Sequence, residues 1–477
     1  MRRKIVEGEG SFNQPACESP VWRVNRTTFS IMWLYNGMPA ISSLACRVYY
    51  RLTVGGARVA PEGPALLVAN HTNSLMDPPL VVVAAQRNVR FMAKSTLFTH
   101  PGISWLVKAV GSVPVYRQQD DRKAVSQNFD SFRDVSTALS QGYAVGIFPE
   151  GISHSASRLQ PLKTGAARIA LGSAIKIGHA FPIVPMGLVF RDRRTFRSAA
   201  HVIVGDAFAW DDIALRGPND KEAVRELTRR IEASMRSVTL NLHDWSDEQL
   251  VRCAERVWRA EFNVSEDARD EMARLHAATN ALAQLRLGAD SRWRQVARAL
   301  RAHDRMLTRL GLTPRSLKED VTSDIALRWT LRRIPQLAFV PLAALGFVLF
   351  WIPREITGAV AEKLARPEGE DAVPTYRVLA GFLFFGGWFL LLAIAASFFV
   401  GFWGALITFL ALPFVALSAL VAGESRRLTW DAIKRFFVVR VQKDRVAALR
   451  TRQRELAEQL SRLYESASVQ TGGHGQP

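Results

Sequence analysis

Apolar and polar positions follow two regimes along this chain. Between Leu52 and about Val204, short β-rich runs alternate with stretches whose apolar residues recur every three or four positions. The short runs predict strands at 65–69, 89–93, 113–115, 144–148, 183–189 and 202–204, and the periodic stretches predict helices at 124–140 and 164–176. That alternation is the signature of an α/β domain. From 216 to about 330 the strand-like runs vanish and Arg, Ala, Glu and Leu dominate, which predicts a helical accessory region. Two uncharged runs follow, 19 residues from Ile334 to Ile352 and 46 residues from Val378 to Gly423. About 20 apolar residues suffice for one helical span. The longer run therefore predicts two spans that turn near Val400-Gly401-Phe402-Trp403-Gly404. The shorter, with Pro335 and Pro341, predicts a third span or a re-entrant segment. Residues 27–46 are also uncharged but are interrupted by Asn36, Gly37 and Pro39, with Trp33, Tyr35, Tyr49 and Tyr50 nearby, as expected of an interfacial helix.

The pattern divides the chain into an N-terminal interfacial segment (1–50), an α/β domain (51–215), the accessory region (216–330), membrane segments of two or three helices (331–423) and a basic helix and tail (424–477). Length alone suggests about three domains. Leu449, Leu456, Leu460 and Leu463 lie at near-heptad spacing in the tail, too short a run for a self-sufficient coiled coil, so a short surface helix is expected there.

Charge narrows the partners. With 62 basic against 43 acidic residues, the chain carries +19 and favours an anionic partner. Because the basic residues are dispersed and coexist with long apolar runs, the expected partner is a membrane and not nucleic acid. Arg426, Arg427, Lys434, Arg435, Arg440, Lys443 and Arg445 follow the last apolar run and place that end on the cytoplasmic side of an inner or plasma membrane. A cytoplasmic catalytic domain then requires an even number of crossings, which favours two spans plus a non-crossing first segment; three spans is the alternative. Cys17, Cys46 and Cys253 are far apart and show no ligand spacing, so neither a disulfide framework nor a metal site is expected. No apolar core follows Arg2, Arg3 and Lys4, so a cleaved signal peptide is not expected.

The candidate chemistry sits where two apolar runs end. Asn70-His71-Thr72-Asn73-Ser74-Leu75-Met76-Asp77-Pro78 follows one and Phe148-Pro149-Glu150-Gly151 ends another. In open α/β sheets ligands bind beyond the carboxyl ends of strands, so the two blocks are expected to meet. A histidine with a carboxylate on its other nitrogen can take a proton from a hydroxyl as that hydroxyl attacks an activated acyl carbon, for which a thioester is the expected donor. Alone, the pair reads equally as a helix cap and a turn. Gly151 permits close backbone approach, and Lys163 and Arg117 offer cationic contacts.

At these residues the chain resembles the PlsC-like glycerolipid acyltransferase family. The matching blocks run in order: His71 with Asp77, Gly111 with Arg117, Phe148 to Gly151, and Val184-Pro185 within an apolar strand. The resemblance implies an α/β acyltransferase domain followed by an all-α accessory segment and a helical membrane hairpin. It further implies His71 as general base, Asp77 as its orienter, and Arg117, Glu150 and Gly151 around a glycerol phosphate. Val184 and Pro185 would line the acyl-donor side, and Lys94 matches a lysine after the first block. No cofactor is implied beyond the co-substrate, acyl-CoA or acyl carrier protein. Two departures stand out: five residues separate His71 from Asp77 where the family has four, and Ser153 stands where many members carry a phosphate-binding arginine. Both resemble the subgroup of fungal glycerol-3-phosphate and dihydroxyacetone-phosphate acyltransferases, which implies an sn-1 acceptor, with lysophosphatidate as the alternative. Arg158 or Lys163 would then replace the missing arginine, and His154 is expected to be a supporting turn residue. Two other readings remain: a lipase-like hydrolase using Ser74 or Ser153, weakened by the lack of a Gly-x-Ser-x-Gly elbow, and a non-catalytic membrane scaffold or lipid-binding protein.

Overall fold

The computed structural model describes residues 29–100, 104–116, 128–154, 156, 158–240, 242, 245–264, 268–287, 291–318, 340–366, 369 and 372–472. Its centre is a seven-stranded sheet in the order β1-β7-β6-β2-β5-β3-β4. The strands are β1 (Arg51–Gly56), β2 (Ala65–Ala69), β3 (Val89–Lys94), β4 (Val113–Val115), β5 (Ala144–Ile147), β6 (Ile183–Phe190) and β7 (Ala199–Val204). All neighbouring pairs are parallel except β6 with β7. Every residue of β2 and β5 is buried, as strands covered on both faces require.

Alternation along β2 shows how the two faces are filled. Ala65, Leu67 and Ala69 enter one core with Leu80, Val81 and Val184, whereas Leu66 and Val68 enter the other with Leu139, Ile169 and Leu171. The first core is covered by α1 (Phe29–Tyr49) and α2 (Asp77–Ala85). After the short α3 (Ser104–Ala109), α4 (Asn128–Ser140) and α5 (Gly165–Ile177) cover the second. Next, α6 (Lys221–Val238) starts at Asp220, whose carboxylate accepts the N–H groups of Glu222 and Ala223. Its apolar stripe of Ala223, Val224, Leu227, Ile231 and Met235 packs into the same core, so this helix belongs to the α/β domain and not to the accessory region, moving the expected boundary at 215 beyond 238.

The accessory region contains α7 (Trp245–Phe262), α8 (Ala268–Leu287), α9 (Arg292–Leu310) and α10 (Pro314–Lys318). The tail helix Lys443–Gly472 packs among these helices. Leu456 and Ala457 join Val257 and Leu300, Leu449 joins Leu307 and Leu317, and Leu460 and Leu463 pack alongside. The near-heptad leucines thus meet the accessory helices, and a short surface helix is not what forms.

Two described helices, Pro341–Ala365 and Val373–Glu424 within a longer helix to Val441, are long and apolar enough to cross a bilayer. The second folds back on itself. Gly401 breaks its helical geometry with φ 65° and ψ −176°, a conformation open essentially only to glycine. Arg377 and Glu424 both bond to the loop after β6, at Arg194 and Arg197 respectively. A straight helix from 377 to 424 would be about 70 Å long, so the chain must reverse between them. Trp388 on the first arm donates to the Leu349 carbonyl, and Gly346 lies against Val415 and Ala419 of the second, so the preceding apolar helix packs on both arms. Phe382, Phe398, Phe399, Phe402, Trp403 and Phe414 are exposed along the hairpin, apolar surface of the kind that meets a membrane or another protein.

Candidate active site

The carboxyl ends of β2 and β5 lie side by side, with Val68 opposite Ile147. His71 and Glu150 leave the sheet there together, and the His71 N–H donates to Glu150 Oε1 at 2.9 Å. Asn70 extends the pairing of β2 with β6 by a side chain: its amide donates to the Leu188 carbonyl, and its Oδ1 accepts the Leu188 N–H. The strand end carrying His71 is thereby fixed to both neighbours.

A tight 3₁₀ turn, Ser74–Met76, then returns the chain toward His71, with Ser74 in the left-handed region at φ 48°. Asp77 opens α2 and is followed by Pro78, the residue type that best tolerates a first helical turn. Its side chain is completely buried. Asp77 Oδ2 accepts three N–H groups: Thr72 and Asn73, each at 2.8 Å, and His71 Nδ1 at 2.9 Å. A carboxylate accepts and does not donate, so Nδ1 carries a proton, and in the neutral ring the lone pair is on Nε2. His71 Nε2 has no hydrogen-bond partner among the described residues. The ring stacks on Phe148 at 4.2 Å between centroids and 16° between planes, which sets its orientation.

Glu150 is a hub. Besides the His71 N–H, it accepts the Gln160 N–H at 2.8 Å and pairs with His154 Nε2. His154 Nδ1 accepts the Ala156 N–H, so its proton resides on Nε2 and points at Glu150. The His154 N–H in turn donates to the His71 carbonyl. Both Glu150 oxygens are therefore engaged in joining the two blocks.

The other expected residues divide into groups. Gly151 takes φ 74°, and an added methyl there would lie 3.4 Å from Lys163 Cγ. Lys163 is exposed, and its N–H donates to the Pro149 carbonyl. Ser153 Oγ accepts the Ser74 N–H, and no serine hydroxyl bonds to His71 among the described residues. Lys94 ends β3, the other neighbour of β5, on the same edge of the sheet. Val184 and Pro185 are buried within β6, opposite Leu67 and Val68 of the strand that leads to His71. Arg117 lies outside the described residues.

Tyr50 and Arg193, to which the sequence assigned no place at the site, complete the setting. Tyr50 is fully buried; its hydroxyl accepts from Asn73 Nδ2 and donates to the Arg193 carbonyl, both at 2.7 Å. Burial raises the Tyr50 phenol far above the ordinary tyrosine range, so it stays protonated. Arg193 Nη1 donates to the Thr72 carbonyl at 2.7 Å and the His154 carbonyl at 3.3 Å. Beside this frame lies a pocket whose lining includes polar Asn70, Glu150, His154 and Arg158 and apolar Phe190 and Leu240.

Comparison with known proteins gives these residues their relatives. Residues 51–189 match the Acyltransferase family model. Glycerol-3-phosphate O-acyltransferase 2 of Saccharomyces cerevisiae is 33% identical over 135 residues, 28% of this chain and 18% of that one. A chloroplastic 1-acyl-sn-glycerol-3-phosphate acyltransferase of Brassica napus is 29% identical over 150 residues, 31% of this chain and 40% of that one. The match thus spans only about a fifth to two fifths of these relatives. The crystal structure of the 1-acyl-sn-glycerophosphate acyltransferase PlsC from Thermotoga maritima aligns over 45% of this chain and 83% of its own, with 20% identity and a TM-score of 0.32. The α/β core that carries His71, Asp77 and Glu150 is a domain of the acyltransferase family.

Proposed function

We propose that this protein is a membrane-bound O-acyltransferase that moves a fatty acyl group from a thioester, acyl-CoA or acyl carrier protein, to a hydroxyl of a glycerol-phosphate acceptor in phospholipid biosynthesis. The observation that carries the reading is His71, held through Nδ1 by buried Asp77, with no hydrogen-bond partner for Nε2 among the described residues. Nε2 takes the proton of the acceptor hydroxyl as its oxygen attacks the thioester carbonyl. The C–S bond of the tetrahedral intermediate then breaks, and the imidazolium returns the proton to the departing thiolate. Asp77 stabilises the imidazolium in between, since its charge faces the nitrogen that stays protonated throughout. Lys163 and Arg158, both exposed beside the Glu150 turn, supply the charge for the acceptor phosphate.

The exposed hairpin supports a bilayer location, and the substrate chemistry requires one. Burying a methylene is worth about 0.8 kcal/mol, so a roughly 16-carbon chain resists leaving lipid by about 12 kcal/mol. In this reading the two hairpin arms cross the membrane, the preceding apolar helix supports them without adding a crossing, and the catalytic domain is cytoplasmic. Glycerol-3-phosphate or dihydroxyacetone phosphate is the acceptor we favour over lysophosphatidate, on the five-residue spacing between His71 and Asp77 and on Ser153. Similarity to a yeast glycerol-3-phosphate O-acyltransferase is in keeping with the first of these acceptors.

The test is an acceptor panel. Purified protein in lipid nanodiscs is given a labelled acyl thioester with each of the three acceptors. Product from glycerol-3-phosphate or dihydroxyacetone phosphate is expected. Product from lysophosphatidate alone would overturn the sn-1 assignment, and product from none would overturn the acyltransferase reading.

A further inference from the structure

The loop 191–198, between β6 and β7, touches two regions that are distant in sequence. On one side it holds the catalytic turn: Arg193 bonds the Thr72 carbonyl, and the Arg193 carbonyl accepts the Tyr50 hydroxyl that binds Asn73. Thr72 and Asn73 are the residues whose N–H groups hold Asp77. On the other side it receives both arms of the hairpin. Arg197 forks onto Glu424 with Nε to Oε1 and Nη2 to Oε2, each at 2.7 Å. Arg377 donates to the Arg194 carbonyl at 2.8 Å, which also accepts the Tyr49 hydroxyl.

Arg197 is an unusual joint. Its backbone takes φ 62°, rare for arginine. Its guanidinium also reaches the carbonyls of Arg47, Val48 and Tyr50, where α1 ends and cationic charge is favoured. One side chain thus ties the end of α1, the start of β1 and the returning hairpin arm together, next to the tyrosine that braces the catalytic turn. The Arg197 and Glu424 side chains keep part of their exposure, 21% and 30%, and a pair in that setting adds little to folding stability. Its two-pronged geometry fixes orientation instead.

We propose that loop 191–198 transmits the docking of the apolar hairpin to the catalytic turn, with Arg193 and Tyr50 as positioning residues for His71 and Asp77 and the Arg197–Glu424 pair as the joint. The idea rests on the acyl-transfer reading for its kinetic consequence. Its structural consequence is independent of that reading: a hairpin out of place loosens the turn that holds His71. Misplacing a reacting group by about 1 Å costs on the order of 100-fold in rate, so partial loosening has a measurable effect.

The experiment uses the full chain in lipid nanodiscs and two readouts, steady-state transfer and the rate at which diethyl pyrocarbonate labels His71, followed by peptide mass spectrometry. The labelling needs no substrate, so it tests the joint even where the proposed acceptors fail. Glu424→Arg touches only the hairpin side. It is expected to lower kcat about tenfold with KM within about twofold and to raise His71 labelling severalfold. Glu424→Asp keeps the charge and is expected to restore most of both, and Glu424→Gln gives the same test if the arginine variant fails to fold. Arg193→Ala should reproduce the kcat loss and Arg193→Lys recover part of it. Unchanged labelling in a folded Glu424→Arg or Glu424→Gln protein would overturn the coupling, as would a loss confined to KM.

Discussion

Replacing Asp77 by asparagine keeps the shape of the side chain and removes its charge, which separates the electrostatic role of this residue from its packing. In the native turn a single oxygen, Oδ2, accepts from Thr72, Asn73 and His71. Hydrogen bonds to a charged group contribute about 1.5–3 kcal/mol and neutral ones about 1, so losing the charge weakens each bond by roughly 1 kcal/mol. Three bonds set an upper bound of about 3 kcal/mol on the loss of turn stability. The kinetic loss is expected to be larger. An amide cannot balance the imidazolium, and where its nitrogen faces His71 Nδ1 the ring takes the other tautomer, with Nε2 protonated and unable to accept. A kcat lower by about 10³-fold follows, equivalent to about 4 kcal/mol of barrier. KM should stay within about twofold, because Asp77 has no exposed surface with which to touch a substrate. The assay is initial-rate transfer of labelled acyl groups in nanodiscs, with thermal unfolding alongside. A kcat within about threefold of wild type in a folded variant, or a change in KM alone, would refute the assignment of Asp77 as the partner of the base.

Other consequences are independent of that residue. Gly401→Ala places a side chain in a glycine-only conformation and should cost about 1–3 kcal/mol; spin labels near 377 and 424 should then report a broader distance distribution, and an unchanged one would contradict the reversal. Arg158→Ala and Lys163→Ala should each raise KM for the acceptor more than they lower kcat, with the double variant worse than either; an unchanged KM in the double variant would remove both from phosphate binding. Burial lowers the pKa of His201, His276 and His303 below the ordinary 6.5, with the His276 bond to the Thr239 carbonyl opposing that shift. Above about pH 6.5 these rings are neutral folded or unfolded, whereas below it the unfolded chain binds more protons. The melting temperature should therefore fall as pH drops from 7 to 5, less steeply in His276→Gln, and a flat profile would contradict the burial argument.

Much of the core was legible because its signals are local. The β2 and β5 runs are continuous apolar segments ending at the residues that carry the chemistry, and the helix expected from Thr164 to Lys176 forms from Gly165 to Ile177. β1 left no such signal, since Arg51–Gly56 buries only Leu52 and ends in two glycines, and its place in the sheet is set by β7. Asp77, which reads as a turn residue in isolation, begins α2 because Pro78 and the apolar residues after it favour a helix start. The contacts that frame His71 were hidden for a different reason. Tyr50 and Asn73 meet across 23 residues of chain, and Arg193 joins Tyr50 and Thr72 across more than a hundred, each through a single hydrogen bond. Nothing in the neighbourhoods of Tyr50 and Arg193 marks them for the site, and Asn73, though two residues from His71, does not name its partner, so only the fold could reveal the group. The tail leucines were visible, but a periodic stripe states that a partner exists without naming it; here the partners are α7, α9 and α10.

Acyl transfer turns on His71 Nε2 removing the acceptor proton. Single-turnover transfer from a labelled acyl thioester, comparing wild type with His71→Ala at saturating acceptor in nanodiscs, tests it most directly. The variant is expected to bind both substrates and to lose about 10³-fold or more in the rate of transfer. Transfer at the wild-type rate by a folded His71→Ala protein would contradict it.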